Sequence, residues 1–193
     1  MNMDNLKSLA FMLMTVMAYM SLASCSDDEG VNLAVGSTFE INGLDYKVLS
    51  LSESTCEVGG YGLEGQVDIP GIVSYGGHSF TVTGIDKFLA CEYMTGVKIP
   101  NTVTSIGVSA FAYCHSLSSV TIPISVRTIG DKAFQFCENL QSVSLGYGVT
   151  TIGSDAFRGC SELRSVSIPN SVMILGEWAF EKCTGLEAVT VVD

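Results

Sequence analysis

Positive charge is scarce in this chain. Lys and Arg number 9 against 20 Asp and Glu in 193 residues, a formal net charge of −11. Affinity for a phosphate backbone comes mainly from Lys and Arg neutralising it, so nucleic acid is excluded as a partner. The same deficit excludes electrostatic docking on an anionic membrane surface. Histidine is scarcer still, with only His78 and His115, and neither belongs to a marked Ser-His-Asp or Cys-His pattern. No Gly-rich phosphate loop and no metal-spaced His/Asp/Glu cluster is present. No cofactor, no metal and no enzymatic activity are therefore expected. Long apolar runs are also missing: the longest falls short of the ~20 residues that a spanning helix needs.

That run is the first feature present. Lys7 precedes apolar residues 9–20, interrupted only by Thr15, and the chain then reaches Leu22-Ala23-Ser24-Cys25. Residues 1–24 read as a leader, because small residues before Cys25 suit a signal peptidase pocket. The tetrapeptide resembles a bacterial lipobox, which implies that the Cys25 thiol is acylated and begins the mature protein. Contact with a membrane would then be through the lipid anchor alone. An ordinary secretory leader with a coincidental cysteine is the alternative. Residues 25–35 form an acidic tether through Ser26-Asp27-Asp28-Glu29. Chemically this is a solvated linker, and a tail without fixed geometry does not hold a metal. An acidic run directly after the lipidated cysteine also resembles the surface-export signal of lipoproteins from Gram-negative anaerobes. It implies an outer-membrane lipoprotein on the cell surface, with the periplasmic face as the alternative.

Self-similarity at a period of 23 residues dominates the rest. Cysteines recur at 91, 114, 137, 160 and 183, and phenylalanines at 88, 111, 134, 157 and 180. Leu117, Leu140, Leu163 and Leu186 keep the same step, with Met94 in the first copy. Val97, Val120, Val143, Val166 and Val189 follow, while Gly107, Gly130, Gly153 and Gly176 mark one corner. One copy cannot bury its own apolar side, so the copies must stack and share a core. Val120-Thr121-Ile122 alternates inward and outward and reads as a short strand stopped by Pro123. A second extended piece is expected at 126–129, then a turn holding Ala133 and Phe134. Parallel rungs about 4.8 Å apart would make a rod roughly 25 Å long.

The unit Ile-Gly-x-x-Ala-Phe-x-x-Cys-x-x-Leu-x-x-Val-x-Ile-Pro resembles the BspA-like, treponemal-type leucine-rich repeat across about residues 82–193. The resemblance implies a right-handed, β-rich solenoid of about five coils and a role in adhesion to host matrix proteins or other bacteria. Val67-Asp68-Ile69-Pro70 matches the same strand end, so the solenoid is placed at 67–193, with a degenerate first coil lengthened by a hairpin at Gly76-Gly77. Residues 36–66 read as an N-terminal β-cap, because Asn42-Gly43 between apolar-alternating segments is a strong hairpin signal. A solenoid end exposes core and strand edge, so a cap is expected there. No comparable segment follows the last coil.

Six cysteines remain beside Cys25, and five of them are equivalent positions facing one way. Parallel side-chain vectors suit disulfides poorly, and a linear ladder does not converge on a metal, so buried free thiols are expected. The outward positions Ser119, Thr121, Ser142, Ser144, Ser165, Ser167 and Thr190 are small hydroxyls, with Ala188 the exception. They serve either as well-stacking strand residues or as a flat contact face. The last coil departs from its predecessors. Met173-Ile174 replaces Thr104-Ser105, Arg127-Thr128 and Thr150-Thr151, and Trp178 replaces Ser109, Lys132 and Asp155. Such an apolar patch marks a partner contact unless the three side chains fold over to seal the end. Protein ligands are the expected partners, and the sequence leaves their identity and the oligomeric state open. A glycan-binding accessory of nutrient uptake is the alternative. It requires an aromatic platform beside paired carboxylates, which the sequence does not locate.

Acylation at Cys25 predicts that Cys25→Ala moves the protein from the membrane fraction to the soluble fraction. Continued partition with membrane, read by fractionation and immunoblot, counts against the lipid anchor.

Overall fold

The computed structural model describes residues 31–193. The expected leader at 1–24, Cys25 and the acidic residues that follow it lie outside the described residues. Asn42 and Gly43 take positive φ of 53° and 78°. Two such residues make the primed turn whose twist suits a hairpin. The turn joins β1 (Thr38–Ile41) to β2 (Leu44–Ser50) with Ile41 opposite Leu44. The strand β3 (Thr55–Tyr61) continues the antiparallel order against β2. After it come β4 (Gly65–Asp68), β5 (Ile72–Tyr75) and β6 (His78–Leu89). Gly76 and Gly77 turn β5 back on β6, as the sequence indicated.

Parallel pairing then takes over. The repeat contributes β7 (Met94–Lys98), β8 (Ser105–Ile106), β9 (Ser119–Ile122), β10 (Thr128–Ile129) and β11 (Ser142–Leu145). It ends with β12 (Thr151–Ile152), β13 (Ser165–Pro169), β14 (Ile174–Leu175) and β15 (Ala188–Val192). One sheet runs β4-β7-β9-β11-β13-β15, and the other runs β1-β2-β3-β6-β8-β10-β12-β14 with β5 attached to β6. The result is a parallel β-solenoid with a 23-residue step. Its six rungs exceed the five full repeats because β4 supplies the first, degenerate one. The second extended piece is shorter than 126–129. Val126 donates its amide to the Pro123 carbonyl at 3.1 Å, which closes a turn and leaves only Thr128–Ile129 as strand.

The two sheets face each other across one continuous core. Within β9 the pattern is exposed, buried, exposed, buried, so Val120 and Ile122 point inward and Ser119 and Thr121 outward. Phe88, Phe111, Phe134, Phe157 and Phe180 stack face to face, with successive centroids 5.0, 5.2, 5.1 and 5.3 Å apart. That spacing follows from the rung separation of parallel strands. The Gly130 corner is tight for the same reason. A Cβ there would lie 2.8 Å from the Gly107 carbonyl carbon, so neighbouring coils meet backbone to backbone.

Phe134 is fully buried between two rings of the stack. Phe134→Ala should therefore lower stability by about 3–5 kcal/mol, the usual range for deleting a buried aromatic. Denaturant unfolding of the variant measures this, and an unchanged midpoint would mean the stack contributes little.

Candidate functional site

The outward side of β9, β11, β13 and β15 carries the hydroxyl face. Ser119 aligns with Ser142 and Thr121 with Ser144, Ser142 with Ser165, and Ser167 with Thr190. All of these side chains are exposed. Ser167 and Thr190 lie 3.3 Å apart, so neighbouring hydroxyls can exchange a hydrogen bond along the ladder. Small side chains make this surface flat. Ile124 and Tyr147, in the turns that follow β9 and β11, add exposed apolar groups beside it.

The last coil places all three of its exceptional residues outward. Met173 is 85% exposed, Ile174 59% and Trp178 61%. Their backbones keep the repeat geometry. The Met173 amide donates to the Thr150 carbonyl, as Thr150 donates to Arg127 and Arg127 to Thr104. The side chains do not keep it. Thr104 and Thr150 each donate a hydroxyl to the preceding coil at 3.1 Å, and Met173 has no such group. Ile174 sits on β14 opposite Thr151. Trp178 has φ of 57°, the left-handed conformation that Ser109, Lys132 and Asp155 adopt at the same step. Leu175 beside Ile174 is also half exposed. At Met173, Ile174 and Trp178 the surface is thus apolar where the equivalent steps of earlier coils are polar, whereas Leu175 follows the buried row of Ile106, Ile129 and Ile152.

The thiols are free and buried. Three of the sulfurs share a hydrogen-bond role that the sequence did not reveal. Cys137 Sγ donates to the Phe111 carbonyl at 3.1 Å, Cys160 to Phe134 at 3.2 Å and Cys183 to Phe157 at 3.1 Å. The same Phe111 carbonyl accepts the Cys114 amide at 3.2 Å. Its two lone pairs are therefore both used, one within the coil and one from the next. A small apolar side chain with a weak S–H donor fits this place. Burial pushes the Cys114 thiol up to about 12, helped by the nearby Cys91. Burial also raises Cys137 well above the ordinary thiol range, followed by the effect of Cys114.

His115 has Nδ1 3.8 Å from Glu138 Oε2, too long for a hydrogen bond, and meets Tyr113 edge-on at 6.0 Å. His78 lies against Phe80. Tyr113 itself stacks on Phe136 at 5.3 Å in a second, outer aromatic pair. The sequence reading missed this pair because its row runs Ala90, Tyr113, Phe136, Gly159 and Lys182, whose shared property is backbone φ and not side-chain type. Among the described residues, no three His, Cys, Asp or Glu side chains converge as a metal site requires.

The family model for the BspA-type leucine-rich repeat region matches residues 81–193 in six copies. Solved structures share the fold. A leucine-rich repeat protein from Bacteroides ovatus is 35% identical over 79% of this chain and 40% of its own, with a TM-score of 0.73. The T. pallidum leucine-rich repeat protein is 27% identical over 79% of this chain and 71% of its own, at 0.71. The pneumococcal vaccine antigen PcpA is 23% identical over 83% of this chain and 51% of its own, at 0.64. The chain therefore spans less than two thirds of the Bacteroides and pneumococcal chains it resembles. Comparison with curated protein sequences returns no match.

The thiol geometry predicts a two-part labelling result. Iodoacetamide at pH 8 should leave Cys114 and Cys137 unmodified in the native protein. In denaturant without reductant it should modify all six described cysteines. Linked Cys114 and Cys137 peptides in the mass spectrum would overturn the assignment.

Proposed function

Because the chain belongs to the BspA-type leucine-rich-repeat family, we propose that it is a surface-anchored binding module for protein ligands, held to the outer membrane by acylated Cys25. The leucine-rich solenoid is an interaction scaffold, and its partners here are read as host matrix proteins or proteins of other bacteria. The acidic residues after Cys25 support the outer face. Residues 36–66 act as the cap of the first coil in this reading, because β3 covers the edge of β6 that would otherwise be open.

One observation carries the proposal. Met173, Ile174 and Trp178 are exposed on a single coil at steps where the other coils carry polar groups. Exposed apolar side chains gain most when a partner removes them from water, and Trp is prominent among the residues that anchor interfaces. The hydroxyl face supplies polar complementarity without bulk, which suits the rim of such a contact.

Trp178 is the only tryptophan, so its fluorescence reports on this patch alone. Titration with purified matrix proteins should shift its emission to the blue. Ile174→Thr combined with Trp178→Ser should weaken binding by at least about tenfold, measured by surface plasmon resonance, while the upstream coils keep their unfolding midpoint. A double variant that loses thermal stability with binding unchanged would make these residues structural only.

A further inference from the structure

Where β3 meets β6 the parallel ladder is broken. Val58 pairs with Ile85 and Gly60 with Phe88, so one residue of β3, Gly59, stands opposite both Asp86 and Lys87 of β6. This is a β-bulge, a device that re-aims side chains and recurs beside binding sites. It demands glycine: a Cβ on Gly59 would lie 2.6 Å from the Lys87 carbonyl oxygen. Beside it a hollow of about 310 Å³ lies over β2, β3 and β6, with Gly59 and Gly60 in its lining. That volume is at the lower end of the ~300–1,000 Å³ typical of small-molecule sites.

The walls divide by chemistry. Tyr61 and Leu89, paired across β3 and β6, are each about half exposed at 52% and 54% and form an apolar side. Asp45, Glu57 and Lys87 supply polar groups on the others. Lys47 donates to Glu57 at 2.9 Å. The ion pairs among the described residues leave Asp45 without a cation. Partial burial and the nearby Glu40 hold its carboxyl above the usual carboxylate range.

A purely apolar ligand would strip water from these charged groups and give nothing back. An anionic ligand would meet Asp45, Glu57 and Asp86 against Lys47 and Lys87, and Lys47 is already paired. A ring with hydroxyls at its edge and C–H groups on its face answers both sides of the hollow, since hydroxyls both donate and accept. We propose that this hollow binds a neutral pyranose ring, with Tyr61 and Leu89 as its apolar platform and Asp45, Glu57 and Lys87 as its hydrogen-bonding groups. It provides the aromatic surface beside carboxylates that a glycan reader requires. It also lies on the first strands and not on the last coil, so it stands or falls independently of the protein-contact surface.

The test uses the full chain in detergent, titrated with glucose, galactose, mannose and N-acetylglucosamine, and with sialic acid as the anionic probe. At least one neutral sugar should bind saturably and shift the backbone amide resonances of Gly59 and Gly60. Tyr61→Ala and Asp45→Ala should each weaken that binding by about tenfold or more, whereas Tyr61→Phe and the double variant of Ile174 and Trp178 should retain it. Failure of all four neutral sugars to saturate overturns the proposal. So does equal binding of sialic acid, or binding that survives both alanine substitutions.

Discussion

The backbone of each coil looks outward to its neighbours for hydrogen bonds. Thr104 and Gly107 donate backward to the Thr83 and Ile85 carbonyls, while Ser109 and Phe111 donate forward to Asp131 and Ala133. The next coil repeats the scheme, with Arg127 and Gly130 reaching back and Lys132 and Phe134 reaching forward. A coil one residue longer would satisfy one of these directions and break the other. Each lost bond would leave a buried amide or carbonyl unpaired, at ~1–3 kcal/mol apiece. The uniform 23-residue step follows from this requirement, and the aligned phenylalanines and cysteines follow from the step.

The forward bonds have a conformational cost. To aim an amide at the following coil, the chain enters the left-handed region twice per repeat. Ser109, Lys132, Asp155 and Trp178 occupy the first place, and Tyr113, Phe136, Gly159 and Lys182 the second. For a residue with a Cβ this costs roughly 1–2 kcal/mol. It persists because Tyr113 and Phe136 donate to Gln135 and Arg158 at 2.8 and 2.7 Å. These residues sit at the turn edge, so their side chains vary without disturbing the core beneath. Tyr113, Phe136 and Trp178 all occupy such places. These three aromatic groups therefore stand at positions chosen by backbone geometry.

The periodic part of the molecule was legible because one steric rule is applied repeatedly. Phe, Cys, Leu and Val must each face the same copy of themselves, so their recurrence at 23 residues specifies both the inward face and the rung register. Asn42-Gly43 and Gly76-Gly77 were legible for a local reason, as pairs that tolerate positive φ. The junction was not legible. Nothing in Gly59-Gly60 or in Asp86-Lys87 says that one residue will oppose two, because that register is set by how the antiparallel strands meet the parallel stack. The sulfur-to-carbonyl bonds were hidden too, since a step of 23 aligns the cysteines with one another but not with the phenylalanine carbonyls they reach.

A stack of equal units has little means of distinguishing one ligand from another through its repeated positions. The repeated Val97, Val120, Val143 and Val166 and Phe88, Phe111, Phe134 and Phe157 are committed to the core, and the small hydroxyls of β9, β11 and β13 present nearly the same surface three times. Discrimination has to come from places where the repeat is broken. Two such places are the bulge at Gly59 and the apolar substitutions at Met173, Ile174 and Trp178. Both exist because a local departure is tolerated without shifting the rungs, by a glycine in one case and by outward side chains in the other. Stability in a solenoid is carried by nearest neighbours. Three rungs, β8, β10 and β12, therefore lie between β6 and β14 and separate one site from the other, and each can change its ligand without redesign of the shared core.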